Sequence, residues 1–315
     1  MTIKDLMAQT QAEVGKVVLG QQQVVEQVVT AMLAGGHVLL EGVPGVAKTL
    51  LSRAVAHCVG AEFRRVQCTP DLMPSDVTGT NVFDLQSRTF RLVKGPVFTN
   101  VLLVDEINRT PPKTQSALLQ AMQERCVTMD GVDYALSEPF FVVATQNPIE
   151  YEGTYPLPEA QLDRFLMKVR VGYPEAGQEN EILKLYVRGA DPQDLVAAGV
   201  EPVIGPDQLE DARRELAGQT VRDEMITYVA DLARRTRESP RTILGASPRA
   251  AVALMRCAQV RAAVQGRTFV IPDDVQDMAH PVLRHRIILR PEAEIEGLTA
   301  EGLIDGVISA VPVPR

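Results

Sequence analysis

Apolar residues recur along this chain at two spacings, and the alternation between them outlines the fold. Val24, Val25, Val28, Val29, Met32 and Leu33 fall on one helical stripe, and Gly35-Gly36 ends that helix before an apolar run over residues 37–40. A second stripe begins at Lys48 and turns Leu51, Ala54, Val55 and Cys58 inward, and residues 63–67 follow as a strand. Residues 100–106 form another apolar run ending in two acids, and the next helix buries Ala117, Leu118, Ala121 and Met122. Two more runs, 140–145 and 167–171, complete five short strands separated by helices. That order predicts an α/β fold with a doubly wound parallel sheet.

Two segments break the rhythm. Residues 71–98 are poor in helical pattern, with candidate strands at 81–84 and 89–93 around Gln86-Ser87. Residues 126–129 and 132–136 flank Asp130-Gly131, a pair suited to a hairpin turn whose two central residues take positive φ. Beyond Tyr173-Pro174 the strand pattern fades. A charged helix over 175–188 leads through an Asp-, Pro- and Gly-containing stretch, 190–206, to a mostly helical C-terminal region. The expected division is an αβα core over residues 1–174, a linker over 175–206 and a smaller helical lid over 207–315.

Composition narrows the class of protein. The 315 residues are 45% hydrophobic and 23% charged, enough for two cores in one chain. The richest apolar stretch, 24–46, is broken by Glu26, Gln27, Gly35, Gly36, His37 and Glu41, so it falls short of a membrane span. The start, Met1-Thr2-Ile3-Lys4-Asp5, lacks a signal-peptide core. Cys58, Cys68, Cys126 and Cys257 show no metal-ligand spacing and are expected to be reduced, which fits the cytoplasm. His37, His57, His280 and His285 are scattered and are expected to be structural or solvated. A net charge of −8 argues against binding nucleic acid through bulk electrostatics.

Candidate chemistry concentrates at the ends of two strands. Glu41-Gly42-Val43-Pro44-Gly45-Val46-Ala47-Lys48-Thr49 follows an apolar run and opens a helix, as a phosphate-binding loop does. Its glycines let backbone N–H groups approach a triphosphate, Lys48 supplies a cation for the β and γ oxygens, and Thr49 supplies a hydroxyl for Mg²⁺. Ala47 stands where the strict pattern has Gly, which is tolerable if the backbone there is already helical, because only positive φ demands Gly. Downstream, Asp105 and Glu106 end a buried strand, the edge where α/β sheets hold their chemistry. Asp105 is placed to hold Mg²⁺ through its water shell and Glu106 to polarise the attacking water. Taken alone, an Asp-Glu pair is also an ordinary solvated corner.

With these motifs in place, the chain resembles the MoxR family of AAA+ ATPases, in the branch with an insert in helix 2, over nearly its whole length. The resemblance rests on Gly42 to Thr49, on Leu103-Val104-Asp105-Glu106-Ile107-Asn108-Arg109, and on Ala144-Thr145-Gln146-Asn147-Pro148. Leu157-Pro158-Glu159-Ala160-Gln161-Leu162-Asp163-Arg164-Phe165 and Gly245-Ala246-Ser247-Pro248-Arg249 complete it. Ala before the lysine is itself a habit of the family. The resemblance implies that Asn147 is a sensor 1 aligning the attacking water, and that Arg164 is an arginine finger acting on a neighbouring subunit's γ-phosphate. It further implies that Arg249 is a sensor 2, in cis or in trans, and that Val18-Leu19-Gly20-Gln21, with Leu50 behind the loop, adjoins the adenine.

The implied function is Mg²⁺-dependent ATP hydrolysis in a homo-oligomeric, hexameric ring that remodels a protein client, often with a von Willebrand A-domain protein. A metal-chelatase motor subunit has similar motifs. A nucleic-acid motor fits less well, because the Asp130-Gly131 hairpin carries Asp130 and Asp133 and no Lys or Arg between Arg125 and Glu138. Arg88, Arg91 and Lys94 on the other insertion are the residues that favour it. A non-hydrolysing switch is disfavoured by the complete set Lys48, Thr49, Asp105, Glu106, Asn147 and Arg164.

Overall fold

A computed structural model describes the chain apart from residues 150–152, 188, 190 and 315. Five strands form the central sheet: β1 Val38–Glu41, β2 Phe63–Gln67, β3 Val101–Asp105, β4 Phe141–Gln146 and β5 Met167–Arg170. All are parallel, in the spatial order β2-β3-β4-β1-β5. Inner parallel strands are covered on both faces by helices, which is why β1, β3 and β4 read as nearly unbroken apolar runs, whereas the edge strands β2 and β5 mix apolar with charged residues. Alternate residues divide between two cores. Leu39, Leu102, Val104, Val142 and Ala144 face one side with Leu118, Leu119 and Met122, whereas Val38, Leu40, Leu103 and Val143 face the other with Val28, Val29 and Leu51.

The strand order sets the site. β4 lies between β1, which leads into the lysine loop, and β3, which ends in Asp105. Residues following β1, β3 and β4 therefore emerge side by side at the C-terminal edge of the sheet.

Both interruptions are hairpins. Gly79–Asp84 pairs with Thr89–Lys94, and Cys126–Met129 pairs with Val132–Ala135. Asp130 and Gly131 have φ of 50° and 80°, as a turn with two left-handed residues requires. The Asn81 amide donates to the Asp130 carboxylate at 2.7 Å, joining the two hairpins.

Within residues 175–206, helix Ala176–Val187 is followed by a chain that buries Leu195, Val200 and Ile204. The C-terminal region consists mainly of helices, the longest being Asp223–Glu238 and Pro248–Val264. Their buried faces continue the core built on the N-terminal helices, and Arg261 ion-pairs with Glu26 at 2.5 Å across that contact. Cys58, Cys68 and Cys257 are buried and free, and burial pushes the thiols of Cys58 and Cys257 up to about 12. Each histidine has a protein partner: Met122 and Val142 for His37, Val200 for His57, Asp305 for His280 and Phe165 for His285. Among the described residues, no helix is long and apolar enough to cross a membrane.

Candidate active site

Lys48 and Thr49 open helix Lys48–Cys58 directly after the loop from β1, so the helix N-terminus points its free N–H groups into the loop. A Cβ on Gly42 would collide with the Val171 carbonyl, and Gly45 has a φ of 85°. Ala47 does not have that helical backbone. It lies in the left-handed region at φ 61°, ψ 22°, immediately before the helix. Loop closure holds it there, at a cost of about 1–2 kcal/mol for a residue with a Cβ. The Lys48 ammonium folds back onto the carbonyls of Gly42 and Val43, 3.1 Å from the latter.

Across the cleft, one hydroxyl organises both acids. Thr145, inside β4 and fully buried, donates to Asp105 Oδ1 at 2.6 Å and accepts the Glu106 backbone N–H at 2.8 Å. The second Asp105 oxygen accepts from Thr49 Oγ1 at 3.3 Å and from Arg65 at 2.7 Å. A threonine hydroxyl and a carboxylate side by side are hard oxygen donors suited to Mg²⁺, and the Arg65 guanidinium balances the carboxylate's charge. Glu106 is left-handed at φ 60°, ψ 51°, which turns its carboxylate away from the strand axis, and Arg109 pairs with it at 3.0 Å. Asn147 is buried just after β4, and its side-chain carbonyl oxygen accepts the Ile149 N–H at 3.2 Å; among the described residues its amide NH₂ makes no hydrogen bond.

Lys48, Thr49, Leu50, Asp105, Glu106 and Asn147 thus line one cleft of about 390 Å³, together with Pro44, Gly45 and Ala47. A smaller apolar pocket of about 140 Å³ adjoins it, walled by Val18, Leu19, Gln21 and Val46. Gly20 has a φ of 77°, and a side chain there would strike Gln178. Gln21 donates to the Gly172 carbonyl at 2.9 Å. Ile182, Leu185 and Tyr186 supply the far wall. None of these three was legible as part of the site, because their helix looks like a charged surface helix in the sequence. Thr145, Arg65 and Arg109 were likewise missed; the threonine is indistinguishable from any strand residue without its register.

Arg164 and Arg249 lie elsewhere. They line a second cleft of about 240 Å³ with Gly36, His37, Arg256 and Arg286. Gly36 and His37 precede β1, so this cleft opens at the N-terminal edge of the sheet, opposite the lysine loop. Asp163 makes its ion pair with Arg286, at 2.6 Å, and accepts from Ser247 at 3.1 Å. Among the described residues Arg164 forms no ion pair with Asp163 or Glu159. Ser247 also caps helix Pro248–Val264 through the Ala250 N–H, so one carboxylate fixes the starts of both arginine-bearing segments.

The chain resembles known proteins over nearly its whole length. A model of the ATPase family associated with various cellular activities matches residues 37–167, and an AAA lid domain model matches 234–306. The chain is 47% identical to the uncharacterised protein YeaC of Bacillus subtilis, over 98% of this chain and 95% of the relative. It is 42% identical to the chaperone MoxR1 of Mycobacterium tuberculosis, over 96% and 81% of the two chains, and 34% identical to the protein MoxR of Paracoccus denitrificans, over 96% and 95%. The crystal structure of a candidate ATPase from Cytophaga hutchinsonii superposes with a TM-score of 0.90 at 39% identity, covering 99% of this chain and 96% of that one.

Proposed function

The chain belongs to the MoxR family of AAA+ ATPases and is an ATPase, and from that premise we propose that it works as a homo-oligomeric ring, hexameric as the resemblance implies, in which each ATP is completed by a neighbour. The observation carrying this reading is the placement of the charges on opposite edges of one sheet. Lys48, Asp105 and Glu106 follow the C-terminal ends of their strands, whereas Arg164 and Arg249 flank a cleft at the N-terminal ends. β1 alone spans four residues, about 13 Å at the usual strand rise. Neither arginine lines the lysine-loop cleft of its own subunit, so on this reading both act in trans.

In the proposed site Thr49 and Asp105 would hold Mg²⁺, which when bound would supply positive charge beside the triphosphate. Lys48 leaves its loop carbonyls for the triphosphate. Glu106 takes the proton of the attacking water, Asn147 orients that water through its amide, and the neighbour's Arg164 meets the charge that develops on the γ-phosphoryl group.

The work done is the remodelling of a protein client in the cytoplasm, including clients acting with von Willebrand A-domain proteins, as the resemblance to MoxR chaperones suggests. Val82, Phe83, Leu85 and Phe90 stand exposed on the first hairpin, an apolar surface suited to a protein client. Nucleic acid is not the expected substrate, given the −8 charge and the acidic second hairpin. The test is turnover with Mg²⁺ and ATP as protein concentration rises, with mass measured in parallel. A specific activity that climbs with ring assembly supports the proposal; full activity in a monomer overturns it.

A further inference from the structure

Among the described residues, Tyr186 alone outside the lysine loop and the start of its helix lines both the phosphate cleft and the adjoining apolar pocket. It therefore stands at the junction between the two, where a nucleotide must pass from its triphosphate to its base. Its helix, Ala176–Val187, presents Gln178, Ile182, Leu185 and Tyr186 on one face at three- and four-residue spacing. The Gln178 side chain packs against Gly20, so this face of the helix lies against the turn forming the opposite wall.

The ring itself is not consumed by packing. Tyr186 is 57% exposed, whereas Ile182 and Leu185 on the same face are half-buried. Among the described residues its phenol makes no hydrogen bond. An aromatic side chain left open beside an apolar pocket gains most when a flat apolar ligand covers it, because ring and ligand then lose water together. Nothing in the loop motif requires an aromatic here, since Lys48, Thr49 and the loop N–H groups deal only with phosphate and Mg²⁺.

We propose that Tyr186 is the side chain that recognises the nucleoside, its ring covering the base and ribose of the bound nucleotide at the mouth of the pocket. The assignment rests on the reading of the Lys48 cleft as the ATP site. Tyr186 then makes the difference between binding a nucleotide and binding a bare polyphosphate, and contributes nothing to the phosphate contacts.

Calorimetric titration of the full-length protein with Mg²⁺-ATP and with Mg²⁺-tripolyphosphate tests it, using wild type, Tyr186→Ala, Tyr186→Phe and Lys48→Ala. Tyr186→Ala should weaken ATP binding on the order of tenfold, the scale of losing one base–aromatic stack, and leave tripolyphosphate affinity unchanged. Tyr186→Phe keeps the ring and should bind ATP within about twofold of wild type. Wild-type ATP affinity in Tyr186→Ala overturns the assignment. So does an equal loss of both ligands, which means the substitution deforms the loop instead of removing a nucleoside contact. Failure of the underlying site looks different: Lys48→Ala would then bind both ligands as wild type does.

Discussion

Asp163 and Arg286 are joined by an ion pair of 2.6 Å in which the arginine is almost entirely buried. The same guanidinium donates to the carbonyls of Phe165, at 2.7 Å, and Leu166, at 3.0 Å. Arg286 belongs to the C-terminal helical region and Asp163 directly precedes Arg164, so this contact locks the lid onto the segment carrying the proposed finger. Ser247, two residues before Arg249, shares the carboxylate.

Removing the carboxylate leaves a buried guanidinium without a counter-charge, so Asp163→Ala should destabilise the fold by about 3 kcal/mol. Urea denaturation measures it. Replacing both partners by apolar residues, Asp163→Ala with Arg286→Met, should restore part of that stability, since the penalty comes from the orphaned charge. A double variant no better than Asp163→Ala would contradict this account of the joint.

Glu106→Gln keeps the size and a hydrogen-bonding end but loses the base. It should bind ATP and Mg²⁺ nearly as wild type does and turn over at least about 10²-fold more slowly. Lys48→Ala should instead weaken binding itself, because the cation facing the triphosphate is gone. Nucleotide titration and single-turnover rates separate the two variants, and wild-type turnover in Glu106→Gln refutes the assignment of the base.

His37 couples stability to pH. Buried between Met122 and Val142, it accepts the Val142 N–H on Nδ1 and donates from Nε2 to the Met122 carbonyl, and desolvation lowers its pKa from 6.5 to about 4. His285 is buried and shifted in the same direction. A histidine held neutral in the fold takes up its proton more readily when unfolded. Its contribution is therefore fully present above pH 6.5 and is lost as pH falls toward 4, by up to about 3 kcal/mol for His37. Denaturation midpoints at pH 7.5 and pH 5 should fall accordingly in wild type and less steeply in His37→Gln. An equal slope in the two proteins contradicts the linkage.

What the sequence disclosed depended on whether a residue's partner lay nearby in the chain. The inner strands β1, β3 and β4 were legible because they are buried almost throughout and run apolar, and the edge strands β2 and β5, which mix apolar residues with Arg and Lys, were legible from their place in the alternation with helices. The loop from Gly42 to Thr49 and the pair Asp105-Glu106 were legible because their chemistry is contiguous. Thr145 was not, since its role as relay comes from the register that sets β4 beside β3. Arg286 was not, because its partner Asp163 lies over a hundred residues away. Ala47 shows a different limit. Its residue type suggests a helical backbone, but the closed loop imposes a left-handed one, and tertiary closure outweighs a local preference of about 1–2 kcal/mol.

The claim that neighbours complete one another's sites is tested most directly by subunit mixing. Arg164→Ala removes the proposed finger and spares the Lys48–Glu106 cleft; Lys48→Ala does the reverse. Each homo-oligomer alone should fail to hydrolyse ATP. Co-assembled, they should recover part of the activity, because some interfaces pair an intact cleft with an intact Arg164 from next door. Single-turnover hydrolysis at verified mixed interfaces is the quantity to measure. Recovery there is the predicted result, and turnover no higher than in the separate variants would contradict a finger acting in trans.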